Sequence, residues 1–425
     1  MYRRALRPLI LLLILALLTA ASGSAVKAAI VSSPSPAILS LAQSDPALAA
    51  LVSSGTAVTA IAAGNEHTCA VTGKGQALCW GRNDFGQLGD ATTTSRNTPA
   101  PVSGLDTGVV AIAAGSNHTC AITAAGAAHC WGNNNGGQLG DGTTTNRLTP
   151  AHVSGLSAGV VAITAGYKHS CALTETGTAL CWGDNDSGQL GDGTKTDRLT
   201  PAPVSGLSSG VAAIDAGLLH SCALTAAGAM LCWGANDDYQ LGNGTNALKT
   251  VPFPVEYLGS GVAAISAGDS HSCAINGAAL CWGDNTGGQL GYATSLGYEP
   301  RPKEVTGLTS DMAAIAAGQL HTCALTAAGA MFCWGSNSDG RLGDGTTDDR
   351  LTPTQVLELS SGVGAMAAGV RHTCAIDSEG RMLSWGGNSC GQLGDGTNDD
   401  RATPGYVFGL DGTWPYRVYL PLVLR

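Results

Sequence analysis

Charge and aromatic rings are scarce in this chain of 425 residues: charged side chains make up 12% and aromatic ones 5%, with four phenylalanines in all. No lysine- or arginine-rich stretch occurs, and binding to a polyanion relies on clustered positive charge. Nucleic acid is therefore not an expected partner. Helical periodicity is missing from residue 55 onward, and beyond the first 21 residues no run is long and apolar enough to span a bilayer. No nucleophile elbow, zinc-protease helix motif, phosphate-binding loop or dinucleotide fingerprint stands out. No Cys-x-x-Cys occurs and each His-x-Cys is spread along a strand, so zinc is not indicated. The sequence thus assigns no enzymatic activity, no metal and no cofactor.

What is present begins with an export signal. Arg3, Arg4 and Arg7 precede an apolar run from Leu9 to Ala21 and small residues around Ala25 and Ala28, the pattern of a secretory signal peptide over residues 1–28. Cleavage after Ala25 takes away three arginines and moves the net charge from −10 to about −13. The mature chain is expected to be secreted or displayed at the cell surface. Residues 29–54, rich in Ala, Ser and Pro, read as a linker whose Leu51–Gly55 stretch could help close a ring. Residues 411–425 form an apolar tail.

Between these ends one unit repeats seven times. His67, His118, His169, His220, His271, His321 and His372 recur every 50 or 51 residues, each within Ala-Gly-x-x-His-[Thr/Ser]-Cys-Ala. In six repeats a second cysteine, followed by Trp-Gly, pairs with the first: Cys69 with Cys79, Cys120 with Cys130, Cys171 with Cys181, Cys222 with Cys232, Cys273 with Cys281 and Cys323 with Cys333. Five pairs are ten residues apart and the one in the fifth repeat is eight apart. A hairpin centred midway sets each pair directly opposite, and removing one residue from each arm keeps Cys273 facing Cys281. In an exported chain this spacing predicts six cross-strand disulfides.

Each repeat holds four strand-like runs separated by Gly, Asn, Asp and Thr, for example Val109–Ala114, His118–Thr123, Ala127–Gly132 and Ala151–Leu156. Four short strands per repeat describe a propeller blade. The fold class is therefore all-β, a seven-bladed propeller over 55–410, with blades at about 55–105, 106–156, 157–207, 208–258, 259–308, 309–359 and 360–410.

The string Trp-Gly-x-Asn-x-x-Gly-Gln-Leu-Gly-Asp-Gly-Thr, clean at Trp131–Thr143, joins Ala-Gly-x-x-His and Thr-Pro-x-x-Val-[Ser/Thr]-Gly-Leu, and together they resemble the regulator-of-chromosome-condensation repeat. The resemblance implies a seven-bladed propeller and leaves function open, because propellers host many activities. The family's nucleotide-exchange activity on a small GTPase uses a protruding wedge, which repeats of 50 or 51 residues leave no room for. Its light-sensing plant member uses tryptophans before the repeated histidine, and none stands there in this chain. A secreted bacterial member that inhibits β-lactamases is similar in compartment and simplicity.

The histidines and the seven repeated tryptophans are expected to serve the frame, as hydrogen-bonding and blade-packing groups. Asp141, Asp192, Asp344 and Asp395, each in Asp-Gly-Thr, fit ordinary turn chemistry better than calcium ligation. Function is expected where the repeats differ: the two residues before each histidine, and the middle of Trp-Gly-x-Asn-x-x-Gly. In the family both windows open onto one face of the disc. Carried over, Phe85, Tyr167, Lys168, Leu218, Leu219, Tyr239, Leu320, Val370 and Arg371 make a mixed apolar and charged surface of binding composition. In the last repeat Ser384 replaces the second cysteine. Either Cys374 bonds to Cys390, the favoured reading, or Cys390 is a free surface thiol. The expected function is a non-catalytic extracellular scaffold binding a protein or a cell-envelope ligand, with enzyme inhibition and nucleotide exchange as alternatives.

Overall fold

The computed structural model describes residues 57–293 and 297–411. Within them the chain forms seven four-stranded antiparallel sheets, each of four consecutive strands, arranged as the blades of a propeller. Among the described residues no helix is long and apolar enough to cross a membrane. The expected signal peptide and linker, Gly55, Thr56 and the tail from residue 412 lie outside the described residues.

Blade one comprises β1 (Val58–Ala63), β2 (His67–Thr72), β3 (Ala77–Gly81) and β4 (Arg96–Pro101); blade two repeats it with β5 (Val109–Ala114), β6 (His118–Thr123), β7 (Ala128–Gly132) and β8 (Arg147–His152). The first strand of a blade lines the axis, where seven strands converge. Only small side chains fit there, hence Ile-Ala-Ala at the end of β1 and β5. The second strand is buried along its length, which suits its alternation of Cys, Ala and β-branched residues. The fourth strand is the exposed edge, where Pro99 and Pro150 are tolerated because an edge N–H has no ladder partner to lose.

Here the sequence expectation needs correction. The fourth strand of repeat two lies at Arg147–His152, not Ala151–Leu156, and the third starts at Ala128 rather than Ala127. Val153 and Leu156 belong to the turn into the next blade. Val153 N donates to Ala128 O (3.1 Å) and Leu156 N to Val153 O (3.1 Å), and both side chains are buried under the blade. An apolar turn that plugs a blade mimics a strand in sequence.

The cysteine register is as expected. Across their hairpins Cys69 faces Cys79, Cys120 faces Cys130, Cys171 faces Cys181, Cys222 faces Cys232, Cys273 faces Cys281 and Cys323 faces Cys333. Each of these pairs is bridged, with Cα atoms 4.1–4.2 Å apart. All of the bridged cysteines, Cys79, Cys130, Cys181 and Cys232 among them, are wholly buried, so they belong to the frame and take no part in the binding face. Each tryptophan packs into the neighbouring blade. Trp131 of blade two fills the cluster of Leu88 and Val102 from blade one, and Trp80 of blade one fills that of Met382 and Val407 from blade seven. The ring therefore closes through side-chain packing between blades.

The last blade corrects a second expectation. Cys374 faces Ser384 and is not bonded to Cys390; both thiols are free. Cys374 sits in the middle of a buried strand, and burial pushes its thiol up to about 12. Cys390 lies in the loop beyond the third strand, where its N–H donates to Gln392 Oε1 (2.9 Å). Ser384→Cys is expected to complete a seventh bridge, because the six identical strand pairs show the geometry it would adopt. The gain should be about 2–3 kcal/mol, reduced by loss of the bond from Ser384 Oγ to Leu393 O (2.7 Å). Thiol titration of the unfolded, unreduced variant checks it: one free thiol means the bridge forms, three mean it does not.

Candidate binding face

The repeated histidines form the frame on which the face is built. His67 Nε2 lies 3.0 Å from Thr119 Oγ1 of the next blade, and that hydroxyl donates to Gln87 O (2.8 Å). A hydroxyl has one proton to give, so the imidazole supplies the other and is protonated at Nε2. Trp131 Nε1 donates to the same Gln87 carbonyl (2.9 Å). The pattern runs round the disc and closes between the last blade and the first: His372 Nε2 meets Thr68 Oγ1 (2.8 Å), and Thr68 Oγ1 and Trp80 Nε1 both donate to Gln392 O (2.8 and 3.0 Å). All seven rings are fully buried and each Nδ1 lacks a hydrogen-bond partner. Burial pushes His67, His169 and His271 down to about 4 and His118, His220 and His372 to about 3; His321 is also well below its ordinary value. Gly64 is required by this packing, since a Cβ there would stand 2.5 Å from both Gly115 O and His67 Cε1.

The two variable windows share one end of the blade. His67 pairs with Gly81, so the β1–β2 turn (64–66) and the β3–β4 loop (82–95) emerge together, tied by Arg82 N to Glu66 O (2.8 Å) and by the Arg82–Glu66 ion pair (2.8 Å). Tyr167, Leu218 and Val370 stand with Asn65, Ser116, Asp269 and Gln319 around the mouth of the axial channel. Phe85, Tyr167 and Lys168 converge on one cavity between blades one and three.

Exposure is more modest than the composition suggested. Tyr167 (37%) and Arg371 are exposed, whereas Phe85, Lys168, Leu218, Leu219, Tyr239, Leu320 and Val370 are half-buried. Leu320 rests against the loop of blade five, where a Cβ on Gly287 would touch Leu320 Cβ at 3.3 Å. Arg371 is held by Asp339 (2.8 Å), which also binds the buried Arg341. Tyr239 stands with positive φ (63°) where other blades have glycine, and it stacks on Tyr298 of blade five (centroids 4.6 Å apart) at the outer strand, away from the channel mouth.

The Asp-Gly-Thr loops are internally satisfied. Asp141 Oδ1 accepts from Thr143 N (3.0 Å) and Thr143 Oγ1 (2.7 Å), and Oδ2 accepts from Arg147 Nε (2.7 Å). Among the described residues no group of three or more His, Cys, Asp or Glu is placed to hold a metal ion. Sequence reasoning missed one polar group in the channel: Asp215 Oδ1 accepts from Thr164 Oγ1 (2.9 Å) and Ala216 N (3.0 Å), and Oδ2 from Ala267 N (2.9 Å). Burial raises its carboxyl above the usual range. The signal was present in the sequence, since Thr164, Asp215 and Ser266 occupy a position that is alanine in the other four blades.

A closed ring of seven blades, bonded blade to blade by buried histidines and offering variable loops at one end, defines a propeller scaffold. The chain belongs to the RCC1-like domain family, whose profile matches residues 39–274 and 208–416. It is 30% identical over 353 residues to the ultraviolet-B receptor UVR8 of Arabidopsis thaliana, covering 82% of this chain and 69% of the receptor. It is 32% identical over 366 residues to the human E3 ubiquitin-protein ligase HERC2, covering 83% of this chain and 8% of that protein. Among solved structures, Prp20p of Saccharomyces cerevisiae superposes with a TM-score of 0.69 at 23% identity, over 78% of this chain and 85% of the yeast chain.

Proposed function

We propose that this protein is an extracellular, non-catalytic scaffold that binds a protein partner through the face at the channel mouth. The observation that carries the reading is the gathering of both variable windows at one end of every blade, over a frame whose repeated polar groups are engaged with one another. The relatives support a protein-binding propeller, as scaffolds rather than by their particular activities: the chain spans under a tenth of HERC2 and has no tryptophan before its repeated histidines. Six bridges per chain favour an oxidising compartment, in keeping with the leader pattern of residues 1–28.

The test uses Leu218→Asp with Val370→Asp, two apolar members of the mouth ring. Purified mature protein and the variant are compared for capture of proteins from the cell's own envelope and secreted fractions, read by mass spectrometry. A folded variant should lose a specific captured protein at least tenfold, since a charge placed in a desolvated contact costs more than about 1.4 kcal/mol. Capture that ignores both changes would overturn the assignment. A captured hydrolase whose activity falls on binding would make the scaffold an inhibitor.

A further inference from the structure

Blade two carries a feature the other blades lack. At the third position of Trp-Gly-x-Asn it alone has an amide, Asn133, where the others have Arg82, Asp184, Ala235, Asp284, Ser336 and Gly387. Asn133 opens with Asn117, Asn135 and Gln138 onto a cavity of about 240 Å³, walled by Phe85 from blade one and by Tyr167 and Lys168 from blade three. That volume is below the roughly 300–1,000 Å³ of sites that enclose drug-sized ligands, so it suits a single ring or residue.

The amides are held in fixed directions. Asn133 Oδ1 accepts from Asn135 N and from Gln138 Nε2 (both 3.0 Å), and Gln138 Oε1 accepts from Gly136 N (2.9 Å). This turns the Asn133 amide so that its nitrogen is the free end. Asn117 Oδ1, by contrast, is buried with no partner, a condition that costs about 1–3 kcal/mol until a donor arrives. Of the charges beside the cavity, Arg82 is matched by carboxylates, and Lys168 is the cation on its wall. Arg82 is paired with Glu66 (2.8 Å) and Asp84 (2.6 Å), while Lys168 lies over the Tyr167 ring (5.3 Å) and within electrostatic reach of Asp184. A ligand with hydroxyls that donate and accept at once meets both the amide nitrogen of Asn133 and the unpartnered Asn117 Oδ1.

We propose that this cavity binds one neutral pyranose ring of a glycan, with the amides of Asn117, Asn133 and Asn135 taking its hydroxyls and the rings of Phe85 and Tyr167 taking its C–H faces. The site shares the face proposed for protein binding but does not depend on that reading. The experiment is saturation-transfer NMR on the full mature protein with glucose, galactose, mannose and N-acetylglucosamine, followed by titration of any that respond. One of them should bind with a dissociation constant on the order of 1 mM, typical of a single small ring, and transfer should come from the aromatic protons. Asn135→Ala and Phe85→Ala, both at loop positions that tolerate change, should weaken binding at least tenfold with the melting temperature unchanged. Leu218→Asp with Val370→Asp should leave sugar binding intact, so that failure of protein capture and failure of this site are read separately. No response to any of the four sugars, binding that survives the two cavity changes, or preferential binding of a small peptide amide would each overturn the proposal.

Discussion

Lowering the pH from 8 to 5 is expected to strip this protein of about 10 kcal/mol of folding stability or more, through histidines that never touch a ligand. In the folded ring each imidazole is neutral, donates from Nε2 and has an unpartnered Nδ1 in a fully buried site. Burial holds six of them at about 3 to 4, and His321 also lies well below the ordinary value near 6.5. Below 6.5 the unfolded chain takes up protons that the folded chain refuses. Stability is therefore full above that value and falls steadily as the pH drops toward 3 to 4. Each histidine contributes a slope of up to about 1.4 kcal/mol per pH unit and a loss of about 2 kcal/mol by pH 5. Carboxyls offset a part. Burial raises Asp269 to about 6 and raises Asp215 and Asp184 as well, so these favour the fold as pH falls. Asp269 returns only a little over 1 kcal/mol at pH 5. Seven histidines outweigh it, and the sum is comparable with the whole 5–15 kcal/mol that holds a typical domain. Urea unfolding at pH 8, 7, 6 and 5 should show a midpoint that falls steeply below 6.5. A midpoint that stays level to pH 5 would mean the rings accept protons in place, and the neutral relay would be wrong.

The frame was legible in the sequence because every blade repeats it. Histidine spacing counts the blades, cysteine spacing sets the hairpin register, and a polar residue placed identically seven times serves a need that every blade shares. The structure shows that need to be the bond from His67 to Thr119 and its six counterparts. The fourth strand was misplaced because Leu-Thr-Pro-Ala lies on an exposed edge and looks like a loop, while the buried turn Val153–Leu156 looks like a strand. The Cys374–Cys390 pairing failed because counting cannot see that one thiol lies inside a blade and the other in a loop beyond it. Of the nine face residues, sequence alone could not show that most are half-buried, or that Phe85, Tyr167 and Lys168 meet across two blade boundaries. That meeting depends on distances between blades, which no single repeat encodes.

Full reduction is the second change with a large expected effect. Each bridge closes a hairpin of ten residues, or eight in blade five, and in the chain-entropy account contributes about 2.5 kcal/mol by restricting the unfolded chain. Six together approach 15 kcal/mol, again the size of a whole domain's stability. The bridged cysteines are wholly buried, so a reductant has no direct access while the blades stay packed. Reduction should therefore be slow in the native protein at pH 7.5, where the imidazole ring is intact. It should become fast at pH 5 with a phosphine, which does not require a thiolate, because protonation of the unfolded chain raises the population of open blades. Once unfolded and reduced, the chain should not regain its far-ultraviolet circular dichroism at neutral pH, and should regain it on reoxidation. A reduced chain that refolds and melts at the oxidised temperature would show that strand packing alone specifies the blades. Rapid native reduction at pH 7.5 would instead show that the blades open without losing the histidine ring, and the two lines of stabilisation would have to be treated as independent.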